Sequence, residues 1–583
     1  MKNKLVIVSL LLFLSLSACN DKKGRIIDLS GQWTVKLDSA GTGIANNWHN
    51  MLFDDIITLP GTTDDAAMGT PNTLTPKLEK PQLTYLTRKN SYVGPTWYSR
   101  EITIPSDWKE KEIMLNLERV MWLSQVWVDG NKVNSECESL ISPHQYNLTS
   151  YLKPGKHLLT IRIDNEKRHD ITFQDLAHAY TNHTQIMWNG MLGNLSISAK
   201  DPVYITNVQI YPDIDKKSFL AKIELQNSTS ETQKGKLVLT SIQKSSNKSG
   251  KALSAEIEAV PGISVTEISY DMGDDAQLWD EFSPEVYTLK TEVTTNEYAD
   301  TDYTDFGMRN ISKNGSVLTI NNNPLFLRGT LECCVFPLTG TPPMTKDGWK
   351  KVFSVAKEWG LNHLRFHSWC PPAAAFEVAD EMGFYLQIEL PLWALTVGQS
   401  ERDILYLKEE ANHIIKKYGN HPSFCLWSLG NELQGDFSVL SQMLDELKLK
   451  DPRHLYTTTS FTFEKGHGDW PEANDDFFIT QWTKKGWVRG QGVFNQYPPS
   501  FDKDYRKAVD SMSVPLITHE IGQYSVYPNL KEISKYTGVL EPLNFLAVQA
   551  DLKEKTCWIK LIYIHCLPVN WRQFCIKRKL NVL

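Results

Sequence analysis

Phe424-Cys425-Leu426-Trp427-Ser428-Leu429-Gly430-Asn431-Glu432 is the stretch whose reading decides the fold. An apolar run is followed by a Gly turn, then by an amide and a carboxyl side by side. That is how a strand of a (β/α)8 barrel delivers polar groups to the barrel's C-terminal mouth. Pro515-Leu516-Ile517-Thr518-His519-Glu520-Ile521-Gly522 delivers a second carboxyl in the same way. Two carboxyls at the ends of two barrel strands are the minimal equipment for cleaving a glycosidic bond.

Outward from this stretch the chain alternates strand and helix. Strands are predicted at 325–329, 362–367, 384–390, 424–429, 454–459, 477–481 and 516–519, with helices at 346–359, 372–382, 401–418 and 437–449 between them. Such alternation implies a parallel sheet and, at seven units, a (β/α)8 TIM barrel over 309–555. The eighth strand is expected to be missing, leaving the barrel incomplete at its C-terminal end.

Upstream the period changes to short alternating strands divided by turns. Trp97-Tyr98-Ser99-Arg100-Glu101-Ile102 and Ser124-Gln125-Val126-Trp127-Val128, with the turns Asp129-Gly130 and Pro154-Gly155, predict a β-sandwich over 25–200. Residues 201–308 have the length and strand pattern of an immunoglobulin-like β-sandwich, with a hairpin loop at 243–250. Asp64 and Asp65, in the polar turn 62–66, are candidates for an edge that the first sandwich lends to the barrel mouth, against a turn-capping role.

The two ends of the chain read differently from its middle. Met1-Lys2-Asn3-Lys4, an apolar core over 5–16 and Ser17-Ala18-Cys19 form an export signal too short to span a bilayer. Leu16-Ser17-Ala18-Cys19 resembles a bacterial lipobox, so 1–19 is expected to be a lipoprotein signal peptide and Cys19 the lipidated residue, on a membrane face the sequence leaves open. Residues 556–583 carry five Lys or Arg, no Asp, Glu or Gly, and three of the chain's nine cysteines. Back-translation in another frame gives helical, charge-balanced sequence free of Cys. A frameshift near Lys555 and an out-of-frame tail are therefore expected.

Across 583 residues, 41% hydrophobic and 22% charged composition fits a large exported protein of several domains. A net charge of −7 and a pI of about 6.1 argue against a nucleic-acid partner. The six cysteines before the tail show no metal-ligand spacing, and neither a cofactor nor a metal is expected. Cys333, Cys334, Cys370 and Cys425 are either a source of one disulfide or buried thiols.

At this point the chain resembles glycoside hydrolase family 2, the β-galactosidases, β-glucuronidases and β-mannosidases. The likeness rests on Leu59-Pro60-Gly61-Thr62, Val126-Trp127-Val128-Asp129-Gly130, Asn189-Gly190-Met191-Leu192-Gly193, Phe306-Gly307-Met308-Arg309, Leu327-Arg328-Gly329-Thr330 and, most strongly, 427–432 with Glu520. The resemblance implies a retaining exo-β-glycosidase that removes terminal β-linked sugars by double displacement. Glu432 would be the acid/base and Glu520 the nucleophile. Asn431 would bind the sugar's 2-hydroxyl, and Arg365 would hold Glu520 ionised. His367, Glu389, Trp393 and His519 sit at strand ends as candidate pocket residues. Trp482 stands where the family usually places a Tyr that touches the nucleophile. The stretch 365–372 departs from the common galactosidase pattern, and no Asn-x-Lys uronate clamp is evident. The expected partners are an oligo- or polysaccharide substrate and, through the lipid anchor alone, a membrane. The competing reading is a lipid-anchored carbohydrate-binding remnant, impaired by loss of the barrel's last strand.

Overall fold

The computed structural model describes residues 25–173, 180–181, 187–488, 504–521 and 528–554. Residues 1–24, with Cys19, and 555–583, and with them the expectations of an export signal, lipidation, frameshift and a missing eighth strand, lie outside the described residues. Within them no helix is long and apolar enough to cross a membrane.

The first module is a two-sheet sandwich. One sheet runs Asn131–Glu138, Leu123–Val128, Gly155–Asp164, Pro95–Ile104, Gly31–Leu37 and Asp55–Leu59 in spatial order. The other is built on Ile26–Asp28, Gly190–Lys200, Glu112–Arg119 and His144–Asn147. Period-two patterning drives the packing: along Glu112–Arg119 alternate residues point inward, and Ile113, Leu115 and Leu117 are buried against Leu195, Val126 and Ile161.

The second module pairs a three-stranded sheet (Val203–Asp213, Ser218–Asn227, Gly262–Asp271) with a four-stranded one (Leu253–Ala259, Gln233–Gln243, Tyr287–Thr295, Ala299–Phe306). Seven antiparallel strands in two sheets make the immunoglobulin-like sandwich. Residues 243–250 form the hairpin loop, closed by Gln243 N donating to Lys248 O at 2.9 Å.

Seven parallel strands of the barrel follow: Gly329–Glu332, His363–Phe366, Tyr385–Glu389, Phe424–Ser428, Leu455–Thr457, Phe478–Thr480 and Leu516–Thr518, numbered one to seven here. Strands one to five form one sheet and six pairs with seven. Bridges from Asn431 to Ser460 and from Ser460 to Ile479 tie four, five and six together at the mouth. Among the described residues, strand one pairs with strand two alone and strand seven with strand six alone. The helices Lys346–Glu358, Ala373–Met382, Glu401–Tyr418 and Phe437–Lys450 pack outside the sheet. Ser400 caps one N-terminus by accepting from Asp403 N, and Asp436 caps another by accepting from Ser438 N.

Strand one corrects the sequence reading, which placed it at 325–329. The strand begins at Gly329, and the apolar Leu325 belongs to the barrel floor instead. Leu325 N donates to Leu318 O at 2.8 Å, and its side chain packs with Ile311, Leu318 and Ile320 beneath Leu426 and Ile479. An apolar run marks burial, and here burial is in the floor rather than the wall.

The first sandwich and the barrel share one apolar core, in which Met121, Trp122, Leu140 and Ile141 pack with Phe376, Tyr406 and Tyr418. All five described cysteines outside the ends, Cys137, Cys333, Cys334, Cys370 and Cys425, are free thiols, which resolves the disulfide alternative for them.

Candidate active site

Strands four and seven end on the same face of the barrel, and each ends in a left-handed turn. Glu432 has φ 49° and Glu520 φ 45°. Cys334, Ser368 and Phe461, just beyond strands one, two and five, have φ 57°, 53° and 68°. Side-chain-bearing residues in this region cost about 1–3 kcal/mol each, and such strain concentrates at functional sites. The turn at Glu432 is held by Glu432 N donating to Ser460 O at 3.2 Å and Leu433 N donating to Thr459 Oγ1 at 3.1 Å.

Those turns bring Glu432, His519 and Glu520 together, with one polar side-chain atom of each within 4.8 Å of the other two. His519 is fully buried, and its Nε2 lies 3.2 Å from Asn431 Oδ1 and 3.4 Å from Glu520 Oε1. Both of those atoms only accept, and Gln481 Nε2 stands 3.3 Å from His519 Nδ1. These partners place the ring proton on Nε2.

Arg365, from strand two, organises the opposite arc. Its Nε donates to Glu389 Oε1 and its Nη2 to Asn431 Oδ1, both at 2.6 Å, while Nη1 lies 3.7 Å from Glu520 Oε1. Burial, the largest single influence, would raise the Glu389 carboxyl, but the Arg365 charge and hydrogen bond, with His367 and Ser460, together hold it below the usual carboxylate range. Glu389 also accepts from Ser368 N at 2.6 Å, Gln387 Nε2 at 3.2 Å and Ser460 Oγ. It is a fully buried counter-ion that aims Arg365. His367 Nε2 faces Glu520 Oε1 at 3.7 Å, and burial, then the Arg365 charge, lowers the imidazole's pKa and favours its neutral form. Trp393 meets His367 edge-on at 6.2 Å.

Trp393 is also where the first sandwich reaches the mouth. Trp393 N donates to Ile171 O at 2.8 Å, and Phe173 N donates to Trp393 O at 2.7 Å. The contacts of the Asp64 and Asp65 candidates are local ones. Asp65 Oδ2 caps its own turn, accepting from Thr62 N at 3.0 Å and Thr62 Oγ1 at 2.9 Å. Asp64 is buried 3.5 Å from Arg88, and its burial raises its carboxyl to about 6. A short polar side chain in a turn satisfies its own backbone before it reaches a neighbour. Trp482 stands on the hairpin formed by Trp482–Thr483 and Gly486–Trp487, packed edge-on to Phe461 at 4.8 Å.

The structure therefore gathers Glu432, Glu520, Asn431, Arg365, His367, Glu389 and His519 into one cluster of hydrogen bonds, ion pairs and close polar approaches, with Trp393 and Trp482 on its flanks. Sequence reading missed Gln387, Ser460, Gln481 and Phe461. Gln387 carried a signal, since it lies two residues from Glu389 on the same face of an otherwise apolar strand. Ser460 carried none, because its position depends on where strand five ends.

Three family models match this chain in sequence: the sugar binding domain of glycosyl hydrolases family 2 over residues 26–189, a further family 2 domain over 203–309, and the family's TIM barrel domain over 311–526. The chain belongs to glycoside hydrolase family 2. A β-galactosidase of Thermoanaerobacter pseudethanolicus is 22% identical over 364 residues, 61% of this chain and 47% of that protein. A β-glucuronidase of Paenibacillus borealis is 22% identical over 471 residues, 74% of this chain and 72% of that protein. This chain thus spans about half the length of several curated relatives. In fold it is similar to the β-glucuronidase from Ruminococcus gnavus, with a TM-score of 0.66 at 17% identity over 90% of this chain and 89% of that one.

Proposed function

We propose that this family 2 chain is an exo-acting retaining β-glycosidase that removes a terminal β-linked sugar from an oligo- or polysaccharide. The observation that carries the reading is the approach of Glu432 and Glu520, whose nearest oxygens lie within 4.8 Å. Carboxyls ~5–5.5 Å apart serve direct displacement, whereas the ~6.5–9.5 Å of inverting enzymes admits a water between them.

In this reading Glu520 attacks the anomeric carbon and forms a glycosyl ester, while Glu432 protonates the departing oxygen and then deprotonates the incoming water. Arg365, His367 and His519 surround the Glu520 carboxylate and set its direction of attack. Asn431, fixed by Arg365 and His519, turns its amide N–H groups toward the sugar's 2-hydroxyl. The relatives' names make a β-galactoside and a β-glucuronide the first substrates to test, in a panel of 4-nitrophenyl glycosides. Proton NMR of the first-formed product is expected to show the β-anomer.

Glu520→Ala should abolish turnover. Glu432→Ala should keep the first step on a nitrophenyl substrate, which needs little protonation, and accumulate the ester. Equal loss on activated and unactivated substrates would remove Glu432 from the acid role. An α-anomer product would overturn the retaining assignment. We further propose tethering of the exported protein through Cys19, tested by loss of lipid labelling in Cys19→Ala.

A further inference from the structure

On the arc of the mouth away from Arg365, aromatic rings line the rim. Phe461, buried beside the site, lies 5.2 Å from His519, 4.7 Å from Phe463 and 4.8 Å from Trp482, meeting the last two edge-on. Trp482 in turn meets Trp487 at 5.3 Å across the hairpin. The outer two rings face solvent, Phe463 at 57% and Trp487 at 55% exposure.

Exposed aromatics grouped beside a polar cleft mark a binding surface. The rings are also held in place. Thr483 Oγ1 ties the hairpin to Ala508 O at 2.6 Å, Val488 N closes it onto Gln481 O at 3.0 Å, and its turn uses Gly486 at φ 140°, which suits glycine alone.

We propose that Phe463 and Trp487, backed by Trp482 and Phe461, form the subsite for the leaving group, and that its occupant is the next pyranose ring of the glycan. The assignment rests on the glycosidase reading above. The ridge lies on the side of the mouth that holds Glu432. Phe461 directly follows Ser460, whose carbonyl holds Glu432 N. The departing oxygen must meet the Glu432 carboxyl, so the ring attached to that oxygen lies over the strand-five side. The hydroxyls of the terminal sugar have the polar arc of Arg365, His367 and Asn431. A pyranose offers a flat face of C–H groups, which is what a fixed aromatic edge or face packs against.

The test compares kcat/KM for a β-linked disaccharide with that for the methyl glycoside of the same terminal sugar. For galactose the pair is lactose and methyl β-D-galactopyranoside. Wild type should prefer the disaccharide. Trp487→Ala and Phe463→Ala should each lower that preference about three- to ten-fold, with methyl glycoside turnover unchanged and Trp487→Phe restoring most of the preference. An unchanged ratio in both alanine variants overturns the subsite. A loss confined to the 4-nitrophenyl glycoside, with none on the disaccharide, overturns the sugar as its occupant.

If wild type cleaves no glycoside in the panel, the glycosidase reading fails separately. Calorimetric titration with lactose and cellobiose then decides the ridge: binding lost in Trp487→Ala supports it, and equal or absent binding in both proteins refutes it.

Discussion

Arg365 is the residue on which the polar half of the mouth turns. One planar guanidinium donates to Glu389 and Asn431 and faces Glu520, three acceptors in different directions. Lysine carries the charge without the fork. Arg365→Lys should therefore lower kcat/KM about ten- to a hundred-fold, the loss of one charge-assisted hydrogen bond of ~1.5–3 kcal/mol, with kcat falling more than KM rises. A change in KM alone would make Arg365 a plain binding group.

Glu332 gives the residue-scale pH dependence. Burial at the end of strand one raises its carboxyl to about 7, even though Cys334 N donates to it at 2.9 Å. A raised acid costs nothing below its unfolded pKa, and its penalty grows as pH climbs through the folded value. Glu332→Gln, which keeps an acceptor for Cys334 N, should raise Tm at pH 8 and leave it unchanged near pH 4, as calorimetry at both pH values would show. Glu432 and Glu520 were legible because each ends an apolar run and the barrel sends strand ends to one face. Of the two roles open to the polar turn, Asp65 takes the capping one, while Asp64 is buried beside Arg88.

Elements decide how closely those residues can approach. Gly430 sits where strand four passes the loop after strand three, and a Cβ there would lie 2.3 Å from Leu392 O, with the backbone unable to yield cheaply. That same carbonyl accepts from Asn431 N at 3.0 Å. Gly430→Ala should push the strand end away from the loop and displace Asn431 and Glu432 together. A displacement of ~1 Å at a catalytic group costs about a hundred-fold in rate, so kcat should fall by that order while circular dichroism stays that of the wild type. Wild-type kcat in this variant would show the contact to be soft. Gly430 was legible as a turn, but its near neighbour was not, since sequence does not say which loop a strand end will touch. The misplaced first strand has the same origin: periodicity shows that Leu325 is buried without saying whether floor or wall buries it.

At the scale of the whole molecule, three modules in order were readable from the change of period, yet the joints between them were not. The second sandwich meets the barrel floor through Arg309, which is buried and donates its Nε to Pro422 O at 3.1 Å, its Nη2 to Phe424 O at 2.6 Å and its Nη1 to Arg453 O. Arg453 continues the joint, donating to Gln209 Oε1 at 2.7 Å and Ile210 O at 3.1 Å of the sandwich. One guanidinium thus binds three carbonyls under strands four and five; Phe424 O also has His454 Nδ1 at 2.7 Å and Pro422 O the Cys425 thiol, so Arg453 O depends on Arg309 most. Stranded buried acceptors cost roughly 1–3 kcal/mol each, relaxation recovering part of it. Arg309→Ala, which leaves the Arg453 carbonyl without that donor, should therefore lower stability by about 1–3 kcal/mol. The floor is opposite the mouth, so KM for an aryl glycoside should stay within about two-fold, because contacts with no shared partners act independently. Urea denaturation followed by tryptophan emission, with KM measured well below the midpoint, separates the two effects. A variant that keeps its midpoint would show the carbonyls to be rescued by water, and one whose KM rises with an unchanged midpoint would tie the floor of the barrel to the geometry of its mouth.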